Sequence, residues 1–163
     1  MADDLFGIYG ASGCGRGIMP LARAMLAEAG ISADRLVFVD DGVSAKSVNG
    51  QKVMSGAEFL ATPARARFAA IAIANSRIRE RLDREITAAG VEPWSVRASN
   101  IVIMDEVEIG PGALISPFVT MTSNIRIGRQ FHANLYSYVE HDCVVGDYVT
   151  FAPGAQVNGN IHI

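Results

Sequence analysis

The sequence predicts an α/β protein in two parts, a small parallel sheet with helices followed by a parallel β-helix. From Ile101 to the end of the chain, apolar residues recur with a period of six, which no helix has. Ahead of that repeat, apolar segments of strand length alternate with helical segments, as is typical of a parallel sheet. Half of the 163 residues are apolar and 19% are charged, which is ordinary globular composition.

Residues 1–93 are predicted to form a Rossmann-like domain, a β-α-β unit followed by the remnant of a further αβ unit. Apolar strands are expected at residues 5–9, 36–39 and 68–74. Helices are expected at residues 18–29, which Gly30 ends, and at residues 76–89, which Ser76 caps and Gly90 ends. Strands linked in this way pair in parallel.

A glycine-rich turn separates the first strand from the first helix, with Gly10, Gly13, Gly15 and Gly17. Bare backbone N–H groups beside a positive helix end suit a phosphate or diphosphate. The spacing is not the G-x-G-x-x-G dinucleotide motif, and the lysine of a P-loop is missing. The alternative is that the glycines only allow a tight turn and close helix packing.

Two carboxylates and a thiol accompany this turn. Asp40 and Asp41 follow the second strand and are expected at the same sheet edge, where they would accept hydrogen bonds from a base or ribose, or else form a solvated turn. Cys14 lies beside a helix start, but no base is visible to activate it, so it is interpreted as lining a pocket. Cys143 is too remote in sequence to predict a disulfide, and no CxxC motif occurs.

The repeat occupies residues 94–163 and predicts a hexapeptide-repeat, left-handed parallel β-helix. Counting in sixes from Ile103 to Ile163 gives only apolar residues, and a second register that starts at Ile101 is broken only by Ser137. Glycine, proline, asparagine and aspartate occupy the corners between these slots. Such a chain forms a three-sided coil of 18 residues. An ordinary β-sandwich, the alternative, would show variable loop lengths.

The three histidines differ in their places within the repeat. His132 and His162 fall on outer mid-strand slots, whereas His141 occupies a corner before Asp142, with Gly159 one coil above. A neighbouring carboxylate orients an imidazole and favours its protonated form, as a general base requires. The alternative is an exposed turn histidine with a chance acidic neighbour. The spacings do not stack three ligands on one face, so no metal site is predicted, although a zinc site across a subunit interface is a weaker alternative.

Charge and hydropathy exclude several classes of partner. The formal net charge of −3 gives no field for a nucleic-acid binder. The apolar runs are shorter than a membrane-spanning helix requires, and Asp3 and Asp4 stand where a signal peptide carries positive charge. The sequence therefore predicts a cytoplasmic protein without nucleic acid or membrane insertion.

Taken together, the chain resembles the bacterial nucleotide-sugar acetyltransferases that N-acetylate UDP-linked 4-amino sugars, relatives of the sialic acid O-acetyltransferases. The matching segments span nearly the whole chain: IYGASGCG at 8–15, FVDD at 38–41, AIANSRIR at 72–79, EHDCVVGD at 140–147, and Gly159-Asn160. The resemblance implies a homotrimer in which acetyl-CoA, the acyl donor, lies in a groove between two subunits.

The resemblance also implies roles for individual residues. The UDP part of the sugar nucleotide would be bound by Ser12, Gly13, Cys14, Asp40, Asp41 and the backbone at Ala74. His141 matches the general base of the family, and Asp142 matches the acidic residue beside it. Thr150, which aligns with a second histidine, and Gly159 would lie on the CoA side.

Three departures from the family pattern bear on these roles. Cys14 replaces a frequent histidine, Ala74 replaces a glycine, and the repeat stops at Ile163, where family members continue, so the β-helix is expected to be truncated. The leading interpretation is acetyl transfer from acetyl-CoA to the amino group of a nucleotide-linked sugar, in surface polysaccharide or glycan synthesis. The alternatives are O-acetylation of a sugar hydroxyl, and a nucleotide-sugar-binding module that lacks a complete CoA site.

Overall fold

The structure is a computed structural model that describes residues 3–163. The chain divides into two compact units, of which the first ends at Trp94 and the second spans Ser95–Ile163. Among the described residues, no helix has the length and apolar character needed to cross a membrane.

The N-terminal unit is a six-stranded sheet with three α-helices. Its strands are β1 (Leu5–Tyr9), β2 (Leu36–Val39), β3 (Ser47–Val48), β4 (Gln51–Met54), β5 (Arg67–Ile71) and β6 (Glu92–Pro93). Its helices are α1 (Gly13–Glu28), α2 (Gly56–Ala61) and α3 (Ser76–Ala88), with a 3₁₀ turn at Ala33–Arg35. The strand order is β3-β4-β2-β1-β5-β6, and only β3 pairs antiparallel. The central strands β1 and β2 are buried along their whole length, as in sheets that are covered on both faces.

Three predictions in this unit were wrong: the start of the first helix, the end of the third predicted strand and the residue that caps the last helix. Helix α1 begins at Gly13 rather than at residue 18, so most of the glycine-rich segment is helical, although glycine is a poor helix former. Strand β5 stops at Ile71, and Asn75 rather than Ser76 caps α3, because its Oδ1 accepts the N–H of Ile78 at 3.1 Å.

A hairpin and a short helix were not predicted from the sequence. Strands β3 and β4 are joined by Asn49 and Gly50, whose φ values of 48° and 76° fit a two-residue hairpin turn. Helix α2 follows with a capping box, in which Ser55 and Glu58 each accept a backbone N–H of the other. Both signals are present in the sequence as Asn-Gly and Ser-x-x-Glu.

The C-terminal unit is a parallel β-helix with an 18-residue coil, as predicted. Its strands are β7 (Val96–Arg97), β8 (Val102–Ile103), β9 (Val107–Ile109), β10 (Leu114–Ile115), β11 (Thr120–Met121), β12 (Ile125–Ile127), β13 (His132–Ala133), β14 (Tyr138–Val139), β15 (Val144–Val145), β16 (Thr150–Phe151) and β17 (Gln156–Val157). They form three parallel sheets, ordered β16-β13-β10-β7, β17-β14-β11-β8 and β15-β12-β9. Each pairing joins residues 18 apart, such as Leu114 with His132. The left-handed sense of the coil stays a prediction.

The two apolar registers fill the interior of the coil. Phe131 and Phe151 meet edge to face with ring centroids 5.0 Å apart, and the surrounding inward side chains form one core. Ser137, the one polar residue in the second register, is 1% exposed and donates its hydroxyl to the carbonyl of Asn134 at 2.7 Å. This bond satisfies the buried hydroxyl locally.

The corners share a left-handed backbone conformation. Every sixth residue from Glu106 to Asn160 has a φ between 54° and 79°, and eight of these ten corner residues are not glycine. An L-residue pays roughly 1–2 kcal/mol for this conformation. One of these corners is Asp142, with a φ of 58°.

Candidate active site

The predicted histidine corner lies between β14 and β15. The Nδ1 atom of His141 is 2.8 Å from Oδ2 of Asp142, and the His141 side chain is 53% exposed. Asn124, at the same corner one coil earlier, donates its Nδ2–H to Oδ1 of Asp142 at 3.1 Å. The structure therefore extends the predicted pair into a series of three hydrogen-bonded side chains, Asn124, Asp142 and His141. Asn124 was missed from the sequence, although its offset of 18 residues from Asp142 was a usable signal.

The charge of Asp142 in this hydrogen-bonded series favours one tautomer of His141. Hydrogen bonding from His141, and then from Asn124, holds the pKa of the Asp142 carboxyl below its usual range. The carboxylate faces Nδ1 of His141, so the Nδ1–H tautomer is favoured and the lone pair lies on Nε2. Nε2 is thus the ring atom that can accept a proton from a substrate.

Gly159 lies against the imidazole of His141. A Cβ atom at residue 159 would come 2.6 Å from Cε1 and 2.7 Å from Nε2 of the ring. Only glycine leaves room for the ring in this position. A role of Gly159 toward CoA, as expected from the resemblance, stays a prediction.

The backbone of the histidine corner is tied to the coils on both sides. The N–H of Asp142 donates to the carbonyl of Ser123 at 3.0 Å, and the N–H of Asn160 donates to the carbonyl of His141 at 2.9 Å. The buried thiol of Cys143 lies 3.3 Å from the carbonyl of Asn158. These bonds fix the position of the imidazole more firmly than an isolated surface turn would.

The remaining predicted residues of the β-helix lie on another sheet. Thr150 in β16 pairs with His132 in β13, and Thr150 is exposed. His132 has the predicted outward mid-strand position, between the inward residues Phe131 and Ala133, and is only 3% exposed. Within residues 3–163, no three histidine, cysteine or acidic side chains are grouped to bind a metal ion.

The predicted nucleotide residues gather at the carboxyl ends of β1, β2 and β5. Ser12 is the N-cap residue of α1, but its side chain makes no capping bond. Gly13 and Cys14 follow in the first turn, where backbone N–H groups have no partner within the helix. A Cβ at Gly15 would overlap the carbonyl oxygen of Gly10, so close packing requires glycine there. Gly15 therefore has the packing role that the alternative interpretation gave to the glycines. The first turn of α1 still presents backbone N–H groups that have no partner within the helix.

Asp40 and Asp41 hold the surrounding turns in place. Asp40 accepts the backbone N–H of Ala11 at 2.8 Å and that of Gly42 at 2.9 Å, with one carboxylate oxygen for each. Asp41 accepts the N–H of Gly56 at 2.9 Å. The pair thus links the end of β2 to the glycine turn and to the start of α2. Contact with a base or ribose stays a prediction.

Ala74 and Cys14 lie near the buried side chain of Arg79. The carbonyl of Ala74 accepts a hydrogen bond from Nη1 of Arg79 at 3.1 Å. Burial raises the pKa of the Cys14 thiol, and the charge of Arg79 only partly opposes this rise. A neutral thiol is a poor nucleophile, which agrees with the interpretation of Cys14 as a pocket-lining residue.

No protein-family model matches the chain. It is 48% identical over 160 residues to the GDP-perosamine N-acetyltransferase of Escherichia coli O157:H7, and the match covers 98% of this chain and 72% of that protein. This chain belongs to the bacterial nucleotide-sugar acetyltransferases. As a member of that family it is an acyltransferase.

Solved structures of related acetyltransferases share the fold. WeeI from Acinetobacter baumannii AYE is 52% identical, with a TM-score of 0.94 over 98% of this chain and 74% of that chain. The acetyltransferase domain of PglB from Neisseria gonorrhoeae FA1090, in complex with acetyl coenzyme A, is 24% identical, with a TM-score of 0.85 over 100% of this chain and 77% of that chain. At this lower identity, the likeness supports the β-helix fold of our nucleotide-sugar acetyltransferase and no finer statement.

Proposed function

We propose that this acetyltransferase transfers the acetyl group of acetyl-CoA to the amino group of a nucleotide-linked amino sugar. The observation that carries the proposal is the chain from Asn124 through Asp142 to His141, which leaves Nε2 of the imidazole without a bond to the carboxylate. The name of the Escherichia coli relative specifies N-acetylation, and the Neisseria structure contains acetyl-CoA.

His141 acts as the general base in this proposal. Nε2 takes a proton from the sugar amine as its nitrogen attacks the thioester carbonyl, and it returns that proton to the thiolate that leaves when the C–S bond breaks. The Asp142 carboxylate stabilises the imidazolium between these steps and keeps the ring oriented. The amine attacks directly, so no side chain of the enzyme is acylated.

The nucleotide is proposed to bind at the carboxyl edge of the N-terminal sheet. The diphosphate would accept N–H groups of Gly13 and Cys14, together with the hydroxyl of Ser12, at the positive end of α1. The resemblance implied UDP, whereas the Escherichia coli relative is named for a GDP-linked sugar. Inhibition by UDP and by GDP, measured side by side, identifies the base.

A homotrimer with acetyl-CoA between neighbouring β-helices completes the proposal. Phe118 and Tyr136, at successive corners of one edge, stack with ring centroids 4.8 Å apart, yet they remain 51% and 64% exposed. Large exposed apolar groups of this kind mark interaction surfaces. Light scattering coupled to size-exclusion chromatography is expected to give three times the chain mass.

Turnover of acetyl-CoA against a panel of acceptors tests the function. We expect turnover with a GDP- or UDP-linked 4-amino sugar and none with the matching 4-hydroxy sugar or with free sialic acid. Turnover only with hydroxyl acceptors would replace this proposal with O-acetylation. Nucleotide binding without any turnover would favour the binding-module alternative.

A further inference from the structure

We infer that Arg79 is a positioning residue of the nucleotide site, which orders the backbone at residues 73–74 and places a buried positive charge beside the first turn of α1. The inference rests on the proposed function, in which this sheet edge binds a nucleoside diphosphate. It concerns a residue of α3 that the resemblance did not assign to the site.

Arg79 differs from the other arginines of its helix. The side chain of Arg79 is 0% exposed and is one of the largest fully buried side chains of the protein. The side chains of Arg81 and Arg84 are 72% and 75% exposed. Asp83, one turn later on the same helix face, is 1% exposed. Burying a guanidinium is unfavourable unless its donors are satisfied and its charge is balanced.

The hydrogen bonds of Arg79 are directed to the loop between β5 and α3. Nη1 donates to the carbonyl of Ile73 at 2.6 Å and to that of Ala74 at 3.1 Å. The same loop lies against the glycine turn, because a Cβ at Gly10 would be 3.0 Å from the carbonyl oxygen of Ala72. Arg79 therefore holds the loop that lies beside the proposed diphosphate position.

The charge of Arg79 also reaches the start of α1. Gly10 links the Arg79-bound loop to that helix: a Cβ at Gly10 would lie 3.0 Å from the carbonyl oxygen of Ala72, and a Cβ at Gly15, in the first turn of α1, would overlap the carbonyl oxygen of Gly10. In agreement with this proximity, the charge of Arg79 lowers the pKa of the Cys14 thiol, against the larger rise caused by burial. A diphosphate at this turn would meet both the helix N–H groups and a cation that solvent screens only weakly. The cation should therefore strengthen binding of the phosphates and leave binding of the nucleoside part almost unchanged.

Inhibition constants for a nucleoside diphosphate and for its nucleoside separate the effect of Arg79 on phosphate binding from any effect on nucleoside binding. The variants are Arg79→Lys, which keeps the charge, and the double variant Arg79→Met with Asp83→Leu, which removes both buried charges together. We expect the double variant to weaken inhibition by the diphosphate about tenfold and inhibition by the nucleoside less than about twofold. The KM for acetyl-CoA and the kcat at saturation should not change, and Arg79→Lys should restore most of the preference for the diphosphate.

Equal losses for diphosphate and nucleoside, or no loss for either, would overturn the inference. If the double variant does not fold, Arg79→Gln, which removes the charge and keeps a hydrogen-bond donor, replaces it: the affinity ratio of diphosphate to nucleoside should fall about fivefold or more, and a ratio equal to that of the parent contradicts the role of the charge. Failure of the parent enzyme to bind either GDP or UDP would instead defeat the proposed function. The two failures are therefore distinguishable.

Discussion

The imidazole of His141 lies against the backbone of Gly159, its neighbour in the next coil of the β-helix. A Cβ at residue 159 would approach Cε1 of the ring to 2.6 Å. The ring is held in this place by the bond between its Nδ1 and Asp142. The catalytic geometry proposed for this enzyme thus depends on the absence of a side chain at one position.

Gly159→Ala should separate activity from folding. The added methyl group forces the ring to rotate away from Asp142, so we expect kcat to fall roughly 10- to 100-fold, within the usual range for a displaced acid–base group. Stability should change by less than about 1 kcal/mol, because an exposed ring can move into solvent. Steady-state kinetics and thermal unfolding measure the two effects.

Gly154→Ala is the matched control for this variant. Gly154 is a left-handed corner with a φ of 72°, and nothing lies within 4 Å of its absent Cβ. The substitution should cost roughly 1–2 kcal/mol of stability through backbone strain and leave kcat unchanged. Full activity of Gly159→Ala would show that the ring position does not matter.

Asn124 should act only through Asp142. Asp142→Asn removes the charge that stabilises the imidazolium, so we expect kcat to fall at least about tenfold, whereas Asn124→Ala should lower it only a few-fold. In the Asp142→Asn background, Asn124→Ala should have no further effect, because its partner carboxylate is gone. A double-mutant cycle on kcat measures this coupling, and fully additive effects would contradict it.

Tyr9 should make stability depend on pH in the alkaline range. Burial, with a smaller contribution from the charge of Asp41, raises the pKa of Tyr9 from its ordinary value of 10.0 to about 12. A raised pKa in the folded state gives a contribution that is complete below pH 10 and is lost as the pH rises toward 12. Between about pH 8 and about pH 11, the parent protein should lose about 1 kcal/mol more unfolding free energy than Tyr9→Phe.

Urea unfolding at these two pH values checks this expectation. Equal losses in the parent protein and in Tyr9→Phe would show that Tyr9 titrates alike in both states. The substitution keeps the ring that packs edge to face on Phe59, with centroids 5.8 Å apart. Its effect on packing is therefore small compared with the change in titration.

The β-helix was predictable from the sequence because its hydrophobic pattern is local and periodic. The inward slots follow the period of six, and the coil length follows from the corners. The left-handed backbone of Phe118, Tyr136 and Tyr148 was not predictable, since large residues rarely adopt that conformation. Pairing with the coils on either side imposes it there.

The N-terminal unit and the site were predicted less completely, because their geometry depends on contacts between segments that are separate in the sequence. Gly13 looked like part of a turn because its local propensity opposes a helix, and only packing reveals why α1 begins there. The hydrogen bonds from Ala11 to Asp40 and from Arg79 to Ile73 depend on how separate segments of the chain pack together. In contrast, Asp142 beside His141 was visible as adjacent residues.

The most direct test of His141 as the general base compares the turnover of His141→Ala with that of His162→Ala, using acetyl-CoA and an amino-sugar nucleotide that the parent enzyme accepts. His162 is an exposed histidine of the same β-helix that has no part in the proposed mechanism. We expect His141→Ala to lower kcat roughly 10²- to 10⁴-fold while it binds the nucleotide normally, and His162→Ala to keep the parent rate. A parent-like kcat in His141→Ala would contradict the proposed base.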